Sequence, residues 1–265
     1  MSIFSGKCLK KYDESKCRDK YIMKGCCFVE ENGRHYPLPE TPWIMTQTWE
    51  YLLFIHWPVP AESLRNLIPE ELELETYDGT AWIGIIPFQV THQRVRKVPE
   101  IPLFNTYLEL NVRTYVTHKG VKGVFFFSLD ASHPLAVLGA RMLSLPYKNA
   151  SMDFEKKEEI IHFESKRVLS TDTPAKFKAV YRPVSPPEES VPDSLEQFLY
   201  ERYVLFTNVA DEIVRGDILH DPWEVSKASL KIYENSMSPV ELPNRDPIVH
   251  FSLSKTVFFW PFQKA

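Results

Sequence analysis

An arginine, a tyrosine and a lysine fall close together at Arg141, Tyr147 and Lys148, in the stretch VFFFSLDASHPLAVLGARMLSLPYKNASM that runs from Val124 to Met152. Leu135, Leu138 and Met142 recur at helical spacing, and Arg141 lies on the flank of that apolar side. A guanidinium so placed is partly buried and needs an acceptor: a carboxylate, a carbonyl or a bound anion. A structural salt bridge, or a stem that snorkels to water, satisfies it as well as a ligand does. A carboxylate stands at Glu109 in YLELNVRTYV. There Leu108, Leu110, Val112 and Val116 point one way, while Tyr107, Glu109, Asn111, Arg113 and Tyr115 point the other. A polar set with two aromatics either faces solvent or lines a wet cavity, and spacing alone favours solvent.

His56, His92, His133 and His220 sit in different segments, and none makes a close-spaced pair such as H-x-x-x-H. A metal is therefore not expected, nor is a cofactor. His220, close to Trp223, could reach a cavity but reads first as a structural hydrogen-bonding residue. Cys8, Cys17, Cys26 and Cys27 match no zinc spacing and read as reduced thiols.

The elements that must position these residues are mostly strands. Val124 to Leu129 is an apolar strand, after which Asp130 or Ser132 would cap a helix from Pro134 to Ser144 that stops before Pro146. Met45 to Trp57 (MTQTWEYLLFIHW) is long enough for a strand, ended by Pro58 and Pro60. A helix follows in AESLRNLIPEELEL until Pro69. Leu72 to Tyr77 and Ala81 to Val90 are expected to form a hairpin through Asp78-Gly79. Within it WIGIIPF is apolar on both faces and reads as an interior strand. RVRKVPEIP (94–102) is a solvated connection or a lid, and HKGVKG turns the Glu109 strand into the Val124 strand. FEKKEEIIHFESKR suggests a hairpin turning near Lys157 to Glu159, followed by a strand at Lys176 to Tyr181. After the exposed loop PVSPPEESVP, Ser194 caps the helix SLEQFLYERY, with Glu196 close to the capping-box position. Further strands fit Ile218 to Trp223 and Ser229 to Tyr233, and the tail PIVHFSLSKTVFFWPF reads as a closing edge strand.

At 265 residues, with 21 Pro, 9 Gly and many aromatics, the chain suits one mainly β domain with a few short helices. Residues 1–42 form a polar N-terminal extension, weakly ordered or holding a small hairpin before Asn32-Gly33, and residues 43–265 form the domain. A net charge of −4 gives no electrostatic case for nucleic acid or an anionic membrane. No apolar run approaches the roughly 20 residues that span a bilayer, and the N-terminus lacks a signal-peptide core, so a cytoplasmic location is expected.

WEYLLFIHWPVP, LRNLIPEELELETYDGTAWIGIIPF, LELNVRTYV, FFFSLDA and GARMLSLPY together resemble the YqjF-like family of uncharacterised bacterial proteins, within the acetoacetate decarboxylase-like superfamily. The resemblance spans about residues 43–235. It implies a cone-shaped, largely antiparallel β-barrel with a central cavity, and it turns Glu109 from solvent towards that cavity. Acetoacetate decarboxylases condense a lysine with the substrate ketone, and a second lysine directly after it keeps the first neutral by like-charge repulsion. Their segment reads Gly-Arg-Glu, then Pro-Lys-Lys. Here the corresponding residues are Ala140-Arg141-Met142, then Pro146-Tyr147-Lys148. Tyr147 replaces the nucleophile, so a Schiff-base acetoacetate decarboxylase is not expected. Glu109, with ten residues between it and Gly120-Val121-Lys122-Gly123, resembles an active-site glutamate of the decarboxylases that stands at that distance from the same turn. Their substrate-carboxylate arginine falls near Trp49 and a second acidic residue near Gly84.

Two principal readings follow. In the first, a lyase-like or hydrolase-like enzyme acts on a small carbonyl or carboxylate compound. Lys148 is then the amine or electrophile, Glu109 the proton-transfer group, Tyr147 a donor to a developing oxyanion and Arg141 an anchor for anion or structure. In the second, a non-catalytic binder holds an apolar ligand against aromatics such as Trp49, Phe54, Trp82, Phe88 and Phe126, each of which also suits plain core packing. A structural or partner-docking role would rest on the extension and the FFWPF tail. The expected partner is a small molecule, and superfamily resemblance is compatible with a homo-oligomer.

Overall fold

The computed structural model describes residues 34, 36–102, 105–133, 145–168, 172–209 and 212–265. In chain order the strands are β1 (Met45–Val59), β2 (Glu73–Leu74), β3 (Ala81–Val95), β4 (Tyr107–His118), β5 (Val121–Ala131), β6 (Tyr147–Lys157) and β7 (Ile160–Arg167). They continue with β8 (Lys176–Pro183), β9 (Glu188–Glu189), β10 (Val204–Val209), β11 (Glu212–Leu219), β12 (Glu224–Asn235), β13 (Ile248–Phe259) and β14 (Gln263–Lys264). Among the described residues the helices are short, Ala61–Arg65 and Leu195–Tyr200, and no helix is long and apolar enough to cross a membrane.

Strands β5-β6-β7-β8-β12-β13-β1-β3-β4 pair in that order, and the β4–β5 pairing closes them into a nine-stranded barrel. A second path leaves β13 through β11 and β10 and returns to β5. The strands β13, β1, β3, β4 and β5 therefore form a wall common to both circuits. Pairing is antiparallel except where β5 meets β6 and β10.

That wall explains why WIGIIPF carries no polar alternation. Ile83 and Ile85 pack in one cluster with Leu53, Ile55, Leu110 and Val112, covered by Phe163 of β7 and Phe177 of β8. Trp82, Ile86 and Phe88 pack on the opposite face with Phe54, Tyr107 and Tyr115, covered by Leu199, Tyr200 and Trp223. A strand buried on both faces needs apolar residues at every position, which the run from Ala81 to Phe88 supplies. Strand β4 obeys the same geometry, and its polar face (Tyr107, Glu109, Asn111, Arg113, Tyr115) is buried rather than solvated, against the expectation from spacing alone.

Turns follow local chemistry. Lys119 (φ 49°) and Gly120 (φ 79°) make a two-residue turn between His118 and Val121, matching the right-handed twist of β4 and β5. Gly123 lets β10 approach, since a Cβ there would lie 2.6 Å from the Val204 carbonyl oxygen. Ser194 caps its helix by accepting from the Gln197 amide, and the side chain of Gln197, not Glu196, reaches back to accept from the amide of Asp193, one residue before the cap.

Other expectations are corrected. Strand β1 runs through Pro58 to Val59, because that proline lies in an extended segment and its φ suits a strand. The helix after Pro60 stops at Arg65. Asp78-Gly79 does turn the chain, but β2 pairs with β4 and not with β3. Asp130 is a strand residue whose carboxylate binds Arg167. The tail strand β13 is interior, flanked by β1 on one side and by β12 and β11 on the other. The helix expected at 134–144, the hairpin before Asn32-Gly33 and the four cysteines lie outside the described residues. Of the N-terminal segment, Arg34 is buried and binds Asp217 and the carbonyls of Tyr203 and Ile218, while the Thr41 carbonyl accepts from the Trp260 indole.

Candidate active site

Pleating decides which side chains can meet. Strand pairing sets Glu109 opposite Phe88 and Ala131, and the next row on that face runs Ile86, Asn111, Leu129, Tyr147. Glu109 and Tyr147 therefore occupy adjacent rows of one surface, and the Tyr147 hydroxyl donates to Glu109 Oε2 at 2.9 Å. Around them Trp49, Trp82, Phe126, Phe88 and Tyr107 belong to the same apolar cluster as Tyr147. Of the candidate residues, Glu109, Tyr147, Trp49, Trp82 and Phe126 are thus brought to one face.

An amide network fixes the aromatic wall. Gln47 Nε2 donates to Gln93 Oε1 at 2.7 Å and to the Tyr107 hydroxyl at 3.1 Å, and that hydroxyl donates to Gln93 Oε1 at 3.0 Å. The Trp49 indole donates to Gln47 Oε1 at 2.8 Å, while its ring stacks on Trp223 at 6.4 Å. These bonds tie Gln47, Gln93, Tyr107 and Trp49 into one network.

Burial governs the chemistry of Glu109. Desolvation pushes its carboxyl up to about 8, with the Asp130 charge adding to the rise and the Tyr147 hydrogen bond opposing it. At neutral pH Glu109 is a neutral acid, able to give up a proton just above neutrality. Desolvation and the neighbouring carboxyl hold the Tyr147 phenol well above its ordinary value, so it serves as a donor and not as a phenolate.

Lys148 lies on the other face. Its register partner is Asp130, itself opposite Leu110, and its ammonium donates to Asp172 Oδ1 at 2.9 Å. Beside it Asp130 receives two bonds from Arg167, at 2.7 and 2.9 Å, and Ser128 receives a third at 2.8 Å. The pleat thus separates Lys148 from Glu109 and engages its amine with a carboxylate. Arg141 lies outside the described residues.

Sequence reasoning gave no place in a site to Asp130, Asp172, Arg167, His56 or Arg113. His56 lies in one cross-strand row with Gly84, Arg113 and Phe126, and its Nε2 meets the Tyr115 hydroxyl at 2.7 Å. Burial, helped by the Arg113 charge, lowers the His56 pKa well below its usual value and keeps the ring neutral. Gly84 is the signal for this arrangement: a Cβ there would stand 3.1 Å from the His56 ring and 3.0 Å from Ile86 Cδ1. An open depression of about 500 Å³ lined by Pro58, Pro60, Glu62, Thr80 and Arg245 lies at the far end of β3 from Phe88, away from Glu109. Among the described residues no group of three His, Cys, Asp or Glu is placed to hold a metal ion.

Comparison with solved structures places this architecture. An acetoacetate decarboxylase-like enzyme from Sphingomonas wittichii RW1 superposes with a TM-score of 0.60 at 13% identity, over 87% of this chain and 98% of that one. The enduracididine biosynthesis enzyme MppR complexed with pyruvate gives 0.57 at 10% identity, over 87% and 92%. Acetoacetate decarboxylase from Legionella pneumophila gives 0.55 at 13%, over 92% and 97%. At these identities the likeness is one of fold. In sequence, the uncharacterized protein YqjF of Bacillus subtilis (strain 168) is 45% identical over 235 residues, covering 87% of this chain and 96% of that protein. With the model of DUF2071, an uncharacterized conserved protein family, matching residues 46–255, the chain belongs to that YqjF-like family and carries it on an acetoacetate decarboxylase-like barrel.

Proposed function

We propose that the domain from residue 43 to 265 is an enzyme that binds a small carbonyl or carboxylate compound and moves a proton on it through Glu109, with Tyr147 as the hydrogen-bond donor and Trp49, Trp82 and Phe126 as the apolar wall. One observation carries this reading: the 2.9 Å bond from Tyr147 to a buried carboxyl that titrates at about 8. A general acid or base works best with a pKa near the working pH, and burial has brought Glu109 there. The substrate class draws support from the fold's likeness to acetoacetate decarboxylase and to MppR, which holds pyruvate. Schiff-base chemistry is not part of the reading. Tyr147 has no amine, and the Lys148 ammonium bonds to Asp172 on the opposite face.

Exchange of carbon-bound protons for deuterium tests it. Candidate 2-keto acids and ketones are incubated with the protein in D₂O and followed by ¹H NMR. Exchange above the buffer rate that rises as pH passes about 8, and that is lost in Glu109→Gln, is the expected result. Ligands that raise Tm but exchange no faster than in buffer would make the protein a non-catalytic binder. Equal exchange by wild type and Glu109→Gln would remove Glu109 from the chemistry.

A further inference from the structure

Among the described residues the side chains of Arg34, Arg113, Arg167 and Arg202 are the deeply buried guanidiniums. Arg34 pairs with Asp217, Arg167 with Asp130, and Arg202 with Glu75. Arg113, 9% exposed, has no carboxylate of the described residues within ion-pair distance. Its Nη2 donates to the Leu199 carbonyl at 3.0 Å, and its guanidinium lies over Phe54 and Tyr115 at 5.9 and 5.7 Å. Its Nε–H has no hydrogen-bond partner. Arg202 lies over the same Tyr115 ring at 5.0 Å, and the nearby carboxylate of Glu75 pairs with Arg202 and Lys122, not with Arg113. The carboxyl of Glu201 is occupied by the Tyr203 hydroxyl and the Trp223 amide.

Other unpartnered polar atoms share the surface. Among the described residues Trp82 Nε1, Asn111 Oδ1 and His56 Nδ1 find no hydrogen-bond partner, and their residues are 6%, 6% and 0% exposed. Register puts His56 and Arg113 in one row across Gly84, with Trp82 one row to one side and Asn111 one row towards Glu109. Each such orphaned group is costly unless something binds it. An unpaired guanidinium N–H and an indole N–H, with no balancing carboxylate, suit a negatively charged acceptor.

We infer that Arg113 and Trp82 form a buried anion subsite that takes the carboxylate of a small ligand whose other end lies at Glu109 and Tyr147. Asn111 Oδ1 lies between the two ends and accepts a hydroxyl or N–H of that ligand. About 13 Å of strand separates the Cα atoms of Glu109 and Arg113, so the ligand is longer than a three-carbon keto acid even allowing for the reach of the arginine. The inference deepens the proton-transfer reading and rests on it for the second end of the ligand only.

Calorimetric titration with glutarate and adipate, each beside its diamide, tests the subsite in the full-length protein. Wild type is expected to bind the carboxylates and not the diamides. Arg113→Gln should weaken carboxylate binding by at least about tenfold, and Trp82→Phe, which keeps the ring and removes the N–H, by roughly threefold to tenfold. Should Arg113→Gln fail to fold, Trp82→Phe carries the test. Equal affinity for diacid and diamide, or unchanged carboxylate affinity in the folded variants, would overturn it. Deuterium exchange followed on 2-oxoglutarate, which joins two carboxylates to an enolisable ketone, separates the two readings. Exchange that survives with no carboxylate preference removes the subsite alone, whereas carboxylate binding without exchange removes the proton chemistry alone.

Discussion

Replacing Glu109 by Gln should make the protein less sensitive to alkali, because the amide mimics the neutral acid and cannot ionise. Between the ordinary carboxyl value of 4.5 and the folded value of about 8, the unfolded chain has released the Glu109 proton while the folded chain still holds it. Stability from this group is therefore complete below 4.5 and is lost as pH climbs towards 8. The loss is roughly 1.4 kcal/mol per pH unit, so the window from pH 5 to 7.5 amounts to about 3 kcal/mol. Glu109 is 5% exposed, so little of this is screened by solvent. Urea unfolding of wild type and Glu109→Gln at both pH values gives two differences in stability. Subtracting them cancels the other titrating groups, including His56, whose lowered pKa acts in the acid range. The variant should gain roughly 3 kcal/mol on wild type between the two pH values, a shift in relative Tm of about 6–12 °C for a chain of this size. Parallel pH profiles would mean that Glu109 ionises normally in the fold, and the proposed acid–base role would fall with the shift.

Three further outcomes are expected. Tyr147→Phe removes the bond that holds the Glu109 value down, so NMR titration of ¹³C-labelled glutamate should place that carboxyl above the wild-type value of about 8; an unchanged or lower midpoint would refute the coupling. Gly84→Ala pushes a methyl against the His56 ring and Ile86 Cδ1, and denaturant unfolding should show a loss of about 1–3 kcal/mol. Borohydride added with pyruvate should leave Lys148 unmodified by peptide mass mapping, since its amine bonds to Asp172; a trapped adduct there would reinstate imine chemistry.

Strand β4 shows how far the sequence could be read. Its two-residue alternation correctly assigned Glu109, Asn111 and Arg113 to one face and Leu110 and Val112 to the other. Alternation states that two faces differ, but not what lies against each, so spacing alone sent the polar face to solvent. Only the whole-fold resemblance turned it inward. Adjacent residues on a strand point apart, which was equally available for Tyr147 and Lys148, yet a reading that ended a helix before them gave no reason to apply it. The interior place of β13 was hidden for a different reason. Its partners β1, β11 and β12 begin 24 to 203 residues upstream in the chain, and local pattern says nothing of such pairings. Gly84 was visible as a missing acidic residue, but its use, room for an imidazole from the neighbouring strand, required the register.

The wall common to both circuits also guards the accuracy of folding. A slip of one residue along β4 would drive Glu109, Asn111 and Arg113 in among Phe163 and Phe177, and would strand Leu110 and Val112 beside His56 and Tyr200. Most sheets suffer from such an error on one side only, because the other is wet. Here each mispaired strand is penalised on both sides, so the buried polar row of β4 also rejects the wrong alignment.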